Sequence, residues 1–375
     1  MKLFEFEAKN IVIKYGITVP RGNVVGNSQE AEVLAREIGK PVVLKSQILI
    51  ASRGKSGGIR FADDAVEAKG IASNLIGSTI KGNVVNSLLV EERLNIVEQF
   101  YASVAIDRQA KAYVVLVSTS GGIAIEEVAQ ASPDKISRHW VDHTAGFSEP
   151  EAAAVISSFN INQDDAIKLT TIVATLYKVA VDYDAELVEI NPLVKTPAGK
   201  FIAADARIII DDNALFRHPE FKDRSSVRAD DTPLEAEARK RDLPYVDLSG
   251  DIGIVGNGAG LGMATLDLVQ HFGGKPANFL DVGGGGSLEK PKKGLLLVMS
   301  KPEVKAVLVN MIGGITRCDT FARAIVEALD EASVKKSIVV RMMGTNEAEG
   351  IRILNQAGIH TYPDVESAIK QVLKL

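Results

Sequence analysis

From Asp251 to its end the chain repeats one local pattern five times. Residues 252–255, 277–280, 304–311, 337–342 and 359–362 are short apolar runs. Each leads into a glycine-containing or polar turn and then an amphipathic stretch. Strands without in/out alternation, separated by helices, must be covered on both faces, which calls for a parallel, doubly wound sheet. Five such strands favour the flavodoxin-like order 2-1-3-4-5.

The region upstream has a different texture. Residues 42–45, 88–91 and 113–117 are β-branched runs bounded by turn residues, and a helical stretch from about Asp164 to Val181 interrupts them. This predicts an α+β domain with largely antiparallel sheets. Phe4, Ala8, Ile11, Val12 and Tyr15 recur at helical spacing up to Gly16. A second helix is expected over 28–38, opened by the capping pair Asn27 and Glu30 and closed by Gly39. Residues 211–244 are polar and hold Pro219, Pro233 and Pro244, with a short helix expected from Pro233. The domain boundary is placed there, giving domains 1–236 and 237–375.

A formal net charge of −5, with both signs mixed along the chain, argues against a nucleic-acid surface. Cys318 is the single cysteine, so neither a disulfide framework nor a thiolate zinc site is available. The first residues lack an apolar signal core, and no run of about 18 apolar residues exists to span a bilayer. A soluble, cytoplasmic protein is expected.

Three features carry chemistry. First, the strand-like segments 189–194 and 201–207 flank a turn centred near Ala198. Such a hairpin sets Asn191 opposite Asp205 and Glu189 opposite Arg207, on one side of the sheet. An amide oxygen and a carboxylate projecting together suit Mg²⁺ carrying nucleotide phosphates; a solvated polar pair beside an ion pair is the plainer alternative. Second, Arg53-Gly-Lys-Ser-Gly-Gly lies between two strands. It is no P-loop, because Leu49 stands where the first glycine belongs and a strand follows instead of a helix. It reads as a hairpin tip whose amides and basic side chains fold over phosphates, with Lys45 reaching from the sheet, or else as an ordinary surface turn. Third, Asn257-Gly-Ala-Gly-Leu-Gly and Gly313-Gly-Ile-Thr-Arg each end a strand and open a helix, at the point where strand order reverses. Two helix N-termini converging there favour an anion. Asp281, about twenty residues on, keeps a dinucleotide (NAD) reading open, although Gly283-Gly-Gly-Gly follows it directly.

Seven strings in order resemble the β subunit of succinyl-CoA synthetase (succinate–CoA ligase, ADP-forming) along essentially the whole chain. They are Phe6-Glu-Ala-Lys, Arg53-Gly-Lys-Ser-Gly-Gly, Glu189-Ile-Asn-Pro-Leu-Val, Asn213-Ala-Leu-Phe-Arg, Asn257-Gly-Ala-Gly-Leu, Pro276-Ala-Asn-Phe-Leu-Asp-Val-Gly-Gly-Gly and Val309-Asn-Met-Ile-Gly-Gly-Ile-Thr-Arg-Cys-Asp. The resemblance implies an ATP-grasp domain followed by a flavodoxin-like CoA-ligase domain. It implies that Lys45, Ser52, Arg53 and Gly54 contact phosphates, and that Glu91 and Leu94 lie on the adenine and ribose side. Asn191 and Asp205 would hold Mg²⁺. Asn257, Gly314, Ile315 and Thr316 would meet the acid substrate or the phosphorylated enzyme. Gln99 aligns where the family often has a nucleotide-contacting glutamate, with Glu98 beside it. Ala51-Ser52 stands where many members have Gly-Gly.

The resemblance also implies a partner α subunit that carries the phosphohistidine and the main CoA site, with succinate and ATP as substrates. His139, His143, His218, His271 and His360 fit that division, since none sits in a glycine-flanked loop. A related acid–CoA ligase acting on malate would share every motif.

Overall fold

The computed structural model describes every residue except 51–52, 123 and 225–230; the side chains of 222–224 also lie outside the description. The chain divides into two units, Met1–Ser225 and Ser226–Leu375.

In the first unit, helix α1 (Glu5–Lys14) is followed by β1 (Gly22–Val25), α2 (Ser28–Ile38), β2 (Val42–Ser46), β3 (Ile59–Ala62) and α3 (Ala65–Leu75). The short pair β4 (Thr79–Ile80) and β5 (Asn83–Val84) precedes β6 (Leu88–Glu92). The capping signals act as expected. The Asn27 side chain accepts from the Glu30 N–H, and Gly39 closes α2 in the left-handed region at φ 67°. Strands β1, β6, β2 and β3 form an antiparallel sheet in that order. Val42, Leu44, Leu88 and Val90 point into one core with Ala31, Ala35, Ala68 and Ala72 from α2 and α3. By the two-residue period, Lys45 and Glu91 face the other way.

The larger sheet comprises β7 (Glu98–Asp107), β8 (Ala112–Ser118), β9 (Ile136–Trp140), β10 (Ala185–Lys195), β11 (Phe201–Ala203) and β12 (Ala206–Ile210). Its order is β11-β10-β7-β8-β9, with β12 also on β10, and every pairing in it is antiparallel. Three helices interrupt the strands: α4 (Ile125–Ala131), α5 (Glu149–Ile156) and α6 (Gln163–Asp182). The core holds Phe100, Val104, Val188, Ile190 and Ile208 against Leu169, Val173 and Leu176 of α6, and Ala8, Ile11 and Val12 of α1. The hairpin register is the expected one: Glu189 pairs with Arg207, Ile190 with Ala206 and Leu193 with Ala203.

The second unit begins with α7 (Pro233–Lys240) and β13 (Tyr245–Asp247). Helix α7 packs on β13 and so lies with this unit as a whole; residue 236 falls inside it. The alternating units follow: β14 (Ile252–Gly256), α8 (Ala259–His271), β15 (Asn278–Leu280), α9 (Glu289–Ser300), β16 (Ala306–Gly313), α10 (Cys318–Glu331), β17 (Ser337–Gly344), α11 (Glu347–Gln356), β18 (Thr361–Tyr362) and α12 (Val365–Val372). Strands β14, β16, β17 and β18 are parallel in that order. On the other side of β14, β15 is joined by parallel bridges at Ile252–Pro276 and Gly256–Asp281. Between the bridges the buried Asn278 amide bonds both the N–H (3.1 Å) and the carbonyl (2.8 Å) of Ile254. In order along the chain the five strands therefore read 2-1-3-4-5, with apolar cores on both faces of the sheet. Strand β13, absent from the sequence reading, adds antiparallel to β15.

Close packing sets one testable point. A Cβ on Gly253 would lie 2.4 Å from Val298 Cγ1 and 3.2 Å from Val304 Cγ1. Gly253→Ala should cost about 1–3 kcal/mol through overpacking, read as a lowered urea midpoint with an unchanged slope.

Candidate functional site

Between the two sheets of the first unit lies a buried ionic network that begins on α1. Glu5 Oε1 accepts from Lys45 Nζ at 2.8 Å and from Lys9 Nζ at 2.9 Å, and Glu5 Oε2 lies 2.7 Å from an Arg53 guanidinium nitrogen. Lys9 donates to both oxygens of Glu91 at 2.7 Å, and Lys45 reaches Glu91 Oε2 at 3.0 Å. Both lysines also donate to the Ala204 carbonyl. Arg53 continues outward to Asp205, at 3.2 and 3.0 Å from its two oxygens.

Exposure grades along this chain of charges. The side chains of Glu5, Glu91 and Lys9 are 1, 2 and 3% exposed, whereas Asp205 reaches 31%. Burial pushes the Glu5 carboxyl up, but Lys45, Lys9 and Arg53 outweigh it and hold it below the usual carboxylate range. Burial opposes the charge on Lys45, yet Glu5, Glu91 and Asp205 raise it above an ordinary lysine. Asp205 is pushed upward, by burial and by the nearby Glu5 charge.

Asp205, Arg53 and Gly54 line a cavity of about 550 Å³ together with Lys55, Gly122, Glu126, Glu189 and Asn191. Main-chain bonds from Ser56 and Gly58 to the Arg53 carbonyl close residues 53–58 into a tight turn between β2 and β3. A strand follows, as the sequence reading required when it rejected a P-loop. In the same cavity the Asn191 N–H bonds the Asp205 carbonyl at 3.3 Å, and Asn191 Oδ1 accepts the Gly122 N–H at 2.7 Å. Burial raises the Glu189 carboxyl, and Tyr101 donates to it at 3.0 Å. An amide oxygen and a part-exposed carboxylate on one wall fit Mg²⁺, which takes one or two protein oxygens and leaves its other positions to water and phosphate. No cluster of three His, Cys, Asp or Glu suited to a metal occurs among the described residues.

The remaining expected residues separate. Ser52 lies outside the described residues. Glu91 does not line the cavity, since both of its oxygens hold buried ammonium groups. Leu94 is half-buried in the connection 93–97 between β6 and β7. Gln99 lies against Gly122, where a Cβ would meet its Oε1 at 2.3 Å, and so stands beside the loop residue that bonds Asn191.

In the second unit, Asn257, Gly314, Ile315 and Thr316 gather at the carboxyl ends of the strands. The Asn257 amide exchanges two bonds with the Ile312 main chain, at 2.8 and 2.9 Å. Thr316 Oγ1 accepts from Gly285 N–H at 2.9 Å, and Thr345 donates to the Gly314 carbonyl at 3.0 Å. Asp281 Oδ1 accepts from Gly258 and Gly283 N–H at 2.6 and 2.7 Å, so it fixes the turns where a dinucleotide reading would need it on a ribose. Ile315 is 88% exposed at the loop tip.

Sequence reasoning missed Glu5 and Lys9. The signal was available: they sit one helical turn apart on the face of α1 that carries Ala8 and Val12, so two opposite charges occupy core positions.

The ATP-grasp domain family matches residues 2–195, and the CoA-ligase family matches residues 255–374. The chain is 46% identical over 376 residues to the β subunit of ADP-forming succinate–CoA ligase from Desulfurococcus amylolyticus, covering 100% of this chain and 99% of that one. The Pyrobaculum aerophilum subunit of the same name is 46% identical over 379 residues, with the same coverage. A GDP-forming subunit from Thermus thermophilus is 42% identical over 375 residues, again covering 100% and 99%. Among solved structures, ATP citrate lyase from Methanothrix soehngenii, in complex with citrate and coenzyme A, aligns over 100% of this chain and 99% of that chain, with a TM-score of 0.73 at 19% identity, a likeness of fold. With two domain families in order and full-length identity to these relatives, the chain belongs to the family of succinate–CoA ligase β subunits.

Proposed function

We propose that this chain is the nucleotide-binding half of a succinate–CoA ligase. Its partner would be an α subunit bearing the phosphorylated histidine and the main CoA site. The observation that carries the reading is one cavity lined by Arg53, Gly54, Asn191 and Asp205, backed by Lys45. In the forward direction the γ-phosphoryl of ATP passes to the partner's histidine, leaving ADP. A succinate carboxylate then takes the phosphoryl group, and the CoA thiol displaces phosphate from succinyl phosphate to give the thioester. Each step reverses.

Lys45 and Arg53 neutralise charge that builds on the phosphoryl oxygens, and the amides of the 53–58 turn orient the chain of phosphates. Asn191 and Asp205 would hold Mg²⁺, which would supply positive charge to the nucleotide phosphates. Glu91 contributes by holding Lys45 in place, while Leu94 stays on the adenine and ribose side and Gln99 contacts the nucleotide. Asn257, Gly314, Ile315 and Thr316 present main-chain donors at two helix N-termini to the phosphohistidine or the acid. ATP is preferred to GTP on the name shared by the Desulfurococcus and Pyrobaculum relatives, and a cytoplasmic location follows from the same family reading. No helix among the described residues is long and apolar enough to cross a membrane.

The test is co-purification with the partner, followed by thioester formation from CoA, a nucleotide and a panel of acids. Dependence on ATP and succinate is expected. Activity with malate but not succinate would move the chain to a sister ligase. Calorimetry showing NAD binding without Mg·ADP binding would overturn the reading.

A further inference from the structure

We infer that Glu5 is a positioning residue for phosphoryl transfer: its carboxylate sets the spacing of Lys45 and Arg53, the two cations that meet the phosphates. The inference rests on the nucleotide reading above and extends it to a residue on α1, a different element from either cation.

Lys45 and Arg53 reach the network from different places, a strand and a loop turn, on long and flexible side chains. One rigid group joins them. Glu5 Oε1 accepts a hydrogen bond from Lys45 at 2.8 Å and Glu5 Oε2 makes an ion pair with Arg53 at 2.7 Å, from a side chain 1% exposed on a helix that packs on β12. Arg53 has a second carboxylate, Asp205, but that one is part-exposed and faces the cavity. Once Asp205 turns to metal binding, Glu5 is the carboxylate that still holds the guanidinium. Lys45 is fixed likewise on its inner side, by Glu5, Glu91 and the Ala204 carbonyl. Glu5 itself cannot swing away, because Lys9 bonds it at 2.9 Å and is pinned in turn to both oxygens of Glu91. Glu5 borders the cavity beside Arg53, with Lys45 behind it; with both oxygens turned to cations, the carboxylate acts through Lys45 and Arg53.

The experiment uses the complex with its partner subunit and two variants. Glu5→Gln keeps the shape and removes the charge. Glu5→Asp keeps the charge but is one methylene short, so it can hold one cation and not both. Steady-state kcat and the KM for Mg·ATP are measured beside melting curves. Misplacing a catalytic group by about 1 Å costs on the order of 10²-fold in rate, so kcat should fall by about that factor in both variants. KM should change little, because ground-state contacts are shared with the turn amides. Wild-type kcat in folded Glu5→Asp would overturn the inference, even if Glu5→Gln fails to fold. A raised KM with kcat intact would overturn it too. Calorimetry separates the two levels. Wild-type complex that binds no Mg·ADP refutes the nucleotide reading, whereas wild-type complex that binds Mg·ADP, with wild-type kcat in the folded Glu5 variants, refutes only the role of Glu5.

Discussion

Asp205→Ala lowers ATP-dependent phosphorylation of the partner subunit by about 10²–10³-fold and leaves the fold intact. The size follows from what is lost, a charged oxygen ligand at the point where phosphate charge must be neutralised; single electrostatic contacts in such sites are worth about that much. Retention of the fold follows from the network. Arg53 keeps Glu5 and the Ser46 carbonyl as partners, and the lost side chain is 31% exposed. Phosphorylation at the wild-type rate, followed with labelled ATP, would remove Asp205 from the metal pair.

Glu91→Ala has the opposite character. It removes both Glu91 oxygens from Lys9, which keeps Glu5 and the Ala204 carbonyl, and one from Lys45, in a region almost sealed from water. Removing one member of a buried pair costs about 3–5 kcal/mol, because the remaining cations, here Lys9 and Lys45, are left sharing the single carboxylate of Glu5. In a unit of this size that is a fall of roughly 10 °C in melting temperature. Burial and the adjacent Lys45 already lower the Lys9 pKa, which puts the cost toward the lower end. Thermal unfolding followed by circular dichroism measures it. An unchanged melting temperature would return Glu91 to the nucleotide side, where the family resemblance put it.

These two carboxylates mark what the sequence could and could not disclose. Asp205 was legible because a hairpin has a fixed register: once the turn near Ala198 was placed, the period of two set Asn191 and Asp205 together. The second unit was legible for a similar reason, since five apolar runs separated by amphipathic helices have few arrangements. Glu91 was not legible, because its partners lie 46 and 82 residues away, on β2 and on α1. No local pattern encodes which long-range cation meets a strand carboxylate. Strand β13 was missed because three residues beside Pro244 carry too little periodicity to stand out from a linker. Asn278 was invisible for another reason: its amide stands in for ladder bonds, and a polar residue inside an apolar run weakens the strand signal it serves.

That small strand β13 also governs how the second unit behaves in company. An unpaired strand at a sheet border offers free N–H and C=O groups to any other chain. Here one border of the parallel sheet is β18, two residues long, and the other is covered by β13 running antiparallel on β15. The covering segment belongs to the stretch that leads into the sheet, ahead of its first parallel strand. A polypeptide beginning after Asp247 would still carry the whole 2-1-3-4-5 core, yet it would leave β15 bare and prone to edge-to-edge aggregation.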